Sequence, residues 1–333
     1  MERMATALES QGVISDNFLF RVAASYADLD SQLKFGNYLV PPEASMSEVL
    51  RAITEGGPST CGTEVVYTVG VTRNGARVRE LDTGSGRYVD VVRFDLGDTP
   101  PATYADAKAE AGTQFRIVVA EGTTIWNVTQ ALLQNDLLEG DITEVPEEGA
   151  VAPDSYEVTE GADRQVLLNT MVAAQTRLLT DLWGDRTAAG PITSAEDALI
   201  LASIVEKETA LAEERRQVAS VFVNRLIRGM RLQTDPTVIY GITRGEGVLG
   251  RGLRRSELRA ASPFNTYIIE GLPPTPIANP GRASIEAVLD PDETPYIFFV
   301  ADGTGGHAFS VTLEEHNRNV ARWREIEAQR QGN

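Results

Sequence analysis

Hydrophobic positions recur along the chain with two different periods. In residues 113–141, TQFRIVVAEGTTIWNVTQALLQNDLLEGD, the FRIVV run predicts a strand and EGT a turn. The TTIWNVTQALLQNDLL that follows puts Ile125, Val128 and Leu132 on one helical face, with Thr123 or Thr124 as N-cap. Between about 62 and 112 the period falls to two. TEVVYTVGVTRNGARVRELDTG and RYVDVVRFDLG alternate around NG and GSG turns and predict a hairpin block. DTPPATYADAKAEAGT then reads as a solvated connector, and residues 142–160 as acidic and turn-rich. VLLNTMVAAQTRLLTDLW (166–183) is a helix, with Leu167, Met171, Ala174, Leu178 and Leu182 in one stripe.

From Pro191 the texture changes. Ser194 and Asp197 match a capping box ahead of the apolar run DALILASIV. A second helix is expected to start near Glu213 and Glu214, where acids suit the helix dipole, and to end at Gly229. After Tyr240 come Gly- and Pro-rich loops such as GLPPTPIANPG, then a strand in ETPYIFFVADG and a closing helix in TLEEHNRNVARWREIEAQ. The pattern is that of an α+β protein. Its divisions fall at 1–60, 61–112 (hairpin insertion and connector), 113–190 and 191–330.

An internal repeat links the first and third of these. MERMATALESQGVI lies without a gap over IWNVTQALLQNDLL: Met1 on Ile125, Met4 on Val128, Leu8 on Leu132, Val13-Ile14 on Leu137-Leu138. The first copy lacks the strand and turn that precede the second. A strand and an anchor helix are therefore expected upstream of the sequence as given.

The chain has 333 residues, 42% of them hydrophobic, enough for a substantial core. A formal net charge of −18 gives the wrong sign for phosphate attraction and argues against nucleic acid as a partner. It also disfavours an anionic membrane surface. Cys61, the only cysteine, lies in the flexible-looking GGPSTCGT and reads as an inert thiol. No apolar run approaches the ~20 residues that span a bilayer. The two histidines, His307 and His316, lack metal-ligand spacing, and no phosphate-binding or dinucleotide loop occurs. Neither metal nor cofactor is expected.

Candidate chemistry centres on SIVEKET (203–209), where carboxylates enter an apolar helix. On helical geometry Leu199, Ala202, Ser203 and Glu206 share a face while Glu208 points away, so Glu206 is expected to be the carboxylate on the apolar side. Burial raises a carboxyl pKa by up to ~3–5 units, a property that suits a general acid. A buried structural Glu206 paired with Arg225 or Arg231 explains the position equally well. Gln233, Thr234 and Asp235 in LQTDPT, and Asn265 and Tyr267 in SPFNTY, are read as short polar loops that could hold sugar hydroxyl and acetamido groups. Ordinary turn chemistry accounts for each alone.

Taken together, ASIVEKET, QVASVFVNRLIRGMRLQTDPTVIYG, SPFNTY, GLPPTPIANPG, YIFFVADGTGGHAFS and TLEEHN resemble the YceG-like family of endolytic murein transglycosylases. They run densely and in order over the last ~140 residues. The resemblance implies LysM-like N-terminal modules, the first lacking its opening strand, followed by a mixed α+β catalytic domain with a lysozyme-like glutamate on a helix. It implies Glu206 as that catalytic residue, with Gln233, Thr234, Asp235, Asn265, Tyr267 and His307 lining the cleft. The activity it implies is cleavage of the MurNAc–GlcNAc β-1,4 bond within peptidoglycan strands, giving 1,6-anhydro ends and terminating strand growth. It implies cooperation with cell-wall synthases and a periplasmic enzyme held at a bacterial inner membrane by one N-terminal anchor, absent from this sequence. A muramidase using Glu206 and Asp235, and a non-catalytic peptidoglycan-binding scaffold, are the alternative readings. The 62–112 block looks like an insertion beyond the family pattern.

Overall fold

A computed structural model describes residues 2–10, 12–27, 29, 32, 38, 40, 43–55, 62–82, 85, 87–110, 112–186 and 190–331. Cys61 lies outside the described residues. The elements are α1 (Glu2–Ser10), α2 (Asn17–Tyr26), α3 (Met46–Glu55), β1 (Thr63–Val69), β2 (Asn74–Asp82), β3 (Arg87–Asp95), α4 (Ala102–Ala109), β4 (Gln114–Val119), α5 (Ile125–Gln134), β5 (Leu138–Glu139), β6 (Ser155–Val158), β7 (Ala162–Asp163), α6 (Arg164–Asp185), α7 (Ala195–Glu208), α8 (Arg215–Ile227), α9 (Asp235–Thr243), α10 (Arg282–Leu289), β8 (Phe298–Ala301), β9 (His307–Ser310) and α11 (Leu313–Gln331). Helices and short sheets are mixed along the chain, as the α+β pattern requires.

The chain divides into two compact units. One comprises Met1–Tyr67, Ala76–Phe94 and Asp98–Arg116; the other comprises Thr68–Gly75, Asp95–Gly97 and Ile117–Asn333. In the first, α1, α2 and α3 bury Ala5, Ile14, Phe20, Ala24, Leu50 and Ile53 in a small core. The period-two block forms β1, β2 and β3, adjacent in the order β3-β2-β1. Buried Glu64 is paired by Arg79 at 3.1 Å and Arg116 at 3.2 Å, which keeps a charge tolerable inside a sheet. The expected solvated connector is corrected here. It contains α4, whose Tyr104 and Ala107 are buried, and Tyr104 shares a 2.7 Å hydroxyl–hydroxyl bond with Tyr67. The prolines that suggested an open segment precede the helix, and Pro101 is its N-cap residue.

The two stretches aligned in sequence are both helical. α1 ends at Ser10 and α5 at Gln134, the aligned position, and the aligned Ile14 and Leu138 are both buried. Thr124 is the N-cap of α5 and accepts from Asn127 N–H.

The second unit carries the larger core. α7, α8 and α10 pack Leu201, Ile204, Val205, Phe222, Ile285 and Val288 together. Ser194 caps α7, accepting the Asp197 N–H at 3.0 Å, and Gly229 follows α8 with φ +64°. β8 and β9 pair antiparallel, with Phe298 opposite Ser310 and Ala301 opposite His307. α9 departs from the sequence expectation: LQTDPT is not all loop, because Asp235 opens a helix with Pro236 in its first turn, where proline is tolerated. Among the described residues no helix is long and apolar enough to cross a membrane.

Replacing Ser194 by Ala leaves an N-terminal donor of α7 without its cap. A loss of ~1 kcal/mol is expected, measured as a lower unfolding midpoint of the whole chain.

Candidate functional site

The middle of α7 has no solvent face: Ile200 to Val205 are all buried. Its last turn then carries Glu206, Lys207 and Glu208 in succession, each directed to a different neighbour. Two residues on a helix are separated by about 200°, so Glu206 and Glu208 leave on opposite sides.

Glu206 Oε2 accepts hydrogen bonds from Gly281 N at 3.0 Å and Ser284 Oγ at 2.7 Å, at the N-terminal end of α10. Ser203, one turn back on the same face, accepts from Ile277 N at 3.0 Å. The expected common face of Ser203 and Glu206 is therefore real, and it packs on the 277–284 segment. That segment is fixed in turn by Asn279, which is fully buried. Its N–H and Nδ2 donate to Thr123 O at 2.7 and 3.0 Å, and its O and Oδ1 accept from Gly122 N and Val151 N at 2.9 and 3.0 Å. Lys207 Nζ donates to Gly122 O at 3.1 Å, and burial pulls its pKa down against the opposing pull of Glu206 and Glu148.

Glu208 meets the polar loops. Thr234 Oγ1 donates to its Oε1. Burial raises the Glu208 pKa; the Thr234 hydroxyl, His307 and Arg225 oppose the shift, and Asp235 adds to it. Tyr267 Oη donates to Asp235 Oδ1 at 2.6 Å, and burial together with Asp235 and Glu208 pushes the phenol up. Gln233 takes a left-handed backbone, φ +49°, with its N–H on Thr266 O at 3.1 Å. Thr266 Oγ1 accepts from Thr234 N at 3.1 Å, so the 233–235 and 265–267 segments are stitched directly together. Asn265 is buried and spends its Nδ2 on Glu257 O and Ala260 O, supporting the loop rather than opening on it. His307 Nδ1 lies 2.7 Å from Glu214 Oε2.

The two glutamates of this turn therefore have different surroundings. The structure gathers Thr234, Asp235, Tyr267 and His307 around Glu208, while Glu206 is taken up by Gly281 and Ser284. The reason is the burial of α7 on all sides: the side opposite the 277–284 contact is interior as well, so "pointing away" from one neighbour means facing another. Neither expected arginine partner of Glu206 is engaged that way. Arg225 donates to Ile297 O and Leu232 O, and Arg231 to Tyr267 O.

Sequence analysis named Glu208 but gave it no role, and it did not single out Lys207, Asn279, Gly281, Ser284, Glu121 or Glu148. Only the PIANPG run offered a signal, since a polar side chain between apolar and turn residues must find partners once buried. A cavity of about 840 Å³ lies elsewhere, lined by Trp183, Ile192, Val223, Ile227 and Leu289 on the face of α8 opposite Arg225. Among the described residues, no three His, Cys, Asp or Glu side chains gather as a metal site.

Glu148 is a second buried carboxyl. Its Oε1 accepts from Ile125 N at 2.8 Å, and burial raises its pKa to about 7, against the Ile125 N–H, the Tyr240 hydroxyl and Lys207. Because the folded pKa exceeds the unfolded one, the stability it contributes is complete below about 4.5 and is lost as pH rises through about 7. Glu148→Gln should flatten the fall in melting temperature between mildly acidic and alkaline buffer, read by thermal scans of both proteins.

The YceG-like family's sequence model matches residues 1–322. The endolytic murein transglycosylase of Streptococcus pneumoniae (strain D39) is 27% identical over 327 residues, covering 96% of this chain and 56% of the relative. That of Bacillus subtilis (strain 168) is 45% identical over 125 residues, 38% of this chain and 34% of the relative. The chain spans about half the length of the pneumococcal relative, and the match to the Bacillus one covers about a third of that protein. A crystal structure of a yceG-like protein from Listeria monocytogenes is 26% identical, with TM-score 0.52, covering 95% of this chain and 94% of that one.

Proposed function

This chain belongs to the YceG-like family, and from that premise we propose that it is an endolytic lytic transglycosylase of peptidoglycan, with Glu208 rather than Glu206 as its acid. The observation that carries the reading is one carboxyl, Glu208, made a weaker acid by burial and by nearby Asp235, beside hydroxyl and aromatic groups from two stitched loops. The relatives named above as endolytic murein transglycosylases supply the reaction class.

In this mechanism protonated Glu208 donates its proton to the glycosidic oxygen between MurNAc and GlcNAc, and the C1–O bond breaks. The resulting carboxylate takes the proton of the MurNAc C6 hydroxyl, whose oxygen bonds to C1 and closes the 1,6-anhydro ring. The nucleophile belongs to the substrate, so one enzyme carboxyl suffices. A hydrolase uses two, ~5–5.5 Å apart when retaining and ~6.5–9.5 Å when inverting. What the protein must add is orientation of the sugar. Gln233, Thr234, Asp235, Tyr267 and His307 are the proposed contacts, with Asn265 holding their loop.

The same proposal includes the finer features that the family resemblance implies. These are LysM-like modules at 1–60 and 113–190, a hairpin insertion at 61–112, and a catalytic domain over 191–330. They also include anchorage at the inner membrane with a periplasmic enzyme domain, and glycan synthases as partners. Asp235, close enough to act electrostatically on Glu208, is what favours the muramidase as second reading.

Digestion of peptidoglycan followed by mass spectrometry separates these readings. Anhydro-MurNAc ends are expected; reducing ends would establish the hydrolase. Glu208→Gln should lower turnover by roughly 10²–10⁴-fold with the fold retained. Full activity in that variant would remove Glu208 from the mechanism.

A further inference from the structure

We propose that Glu206 is a positioning residue, which holds the last turn of α7 so that Glu208 is presented to the polar loops. The inference rests on the assignment of Glu208 as the acid.

The C-terminal turn of a helix is its weakest part, because its carbonyls lack helical partners. In α7 the catalytic acid is the final helical residue, and Thr209 is already extended, with φ −138°. An acid in that place is held no better than the turn beneath it. Glu206 supplies the fastening. Both of its bonds go to one oxygen, and both donors belong to the first turn of α10 or its cap residue. Helix N-termini favour negative charge, so the contact is electrostatically matched.

The receiving surface is itself rigid. Ile277 is tied to Ser203, and Asn279 is tied to the 122–123 turn and to Val151. The Glu121 side chain lies directly against Gly281, where a Cβ would meet its Oε1. Glu121 is a second carboxylate at the same place, with Arg215 3.6 Å away. Its pKa is raised by burial first and then by Glu206. Lys207 adds a third tie through Gly122. Glu206 therefore faces away from the substrate loops and grips α10, while Glu208, two residues on, is left to the reaction.

The test compares four variants on peptidoglycan. Glu206→Ala should lower kcat by about 10–100-fold, the scale expected for a misplacement of about 1 Å, with KM little changed. Glu206→Gln should recover most of that loss, because an amide oxygen can accept both donors. Ser284→Ala, which removes one donor, should lower kcat severalfold and keeps the test decisive if Glu206→Ala fails to fold. Glu208→Gln is the reference for loss of the acid. Glu206→Gln as inactive as Glu208→Gln would make Glu206 the acid and overturn the inference. An unchanged kcat in Glu206→Ala or Ser284→Ala would overturn it as well. A wild-type chain that produces no anhydro ends would instead defeat the functional reading on which the inference rests.

Discussion

The site depends on one helix being enclosed on every side. α7 contributes six consecutive buried residues to the second unit's core, and that burial is the dominant favourable term available to it. A helix packed in this way cannot rotate or slide without exposing apolar surface. Whatever polar groups it carries at its end are thereby aimed, and their solvation is set by the same packing. The raised proton affinity of Glu208 follows from this enclosure, as does the depressed affinity of Lys207 beside it. Opposite shifts in neighbouring residues are what a low-dielectric surrounding does to an acid and a base.

Much of the architecture was legible in the chain. The N-cap at Ser194, the stop at Gly229, the alternating strands from 63 to 95 and the helical stripe of 166–183 all followed from local chemistry, and all are present. The helices α4, α9 and α10 were not legible. α4 and α9 each have a proline at the start, and proline read alone signals a break, although it is at home in a first turn.

The two polar loops read from sequence meet each other in the structure, and the glutamate they surround is not the one that helical phase favoured. Helical phase assigns faces only when one side is wet. ALILASIV has no wet side, so its phase could not say which of two carboxylates looked toward the loops. The long-range ties at Asn279, Gly281 and Glu121 were illegible for a different reason. Each depends on which distant segments meet, and no periodicity encodes that.

The bonds between Thr123 and Asn279 join residues 156 positions apart. Bringing such distant stretches together costs chain entropy before any contact rewards it, and topologies rich in distant contacts fold slowly. The tie that steadies the 277–284 segment is therefore of a kind that forms late, after the local helices have condensed. Maturation of the site would then lag behind collapse of the core, and a nascent chain could be compact well before it was competent.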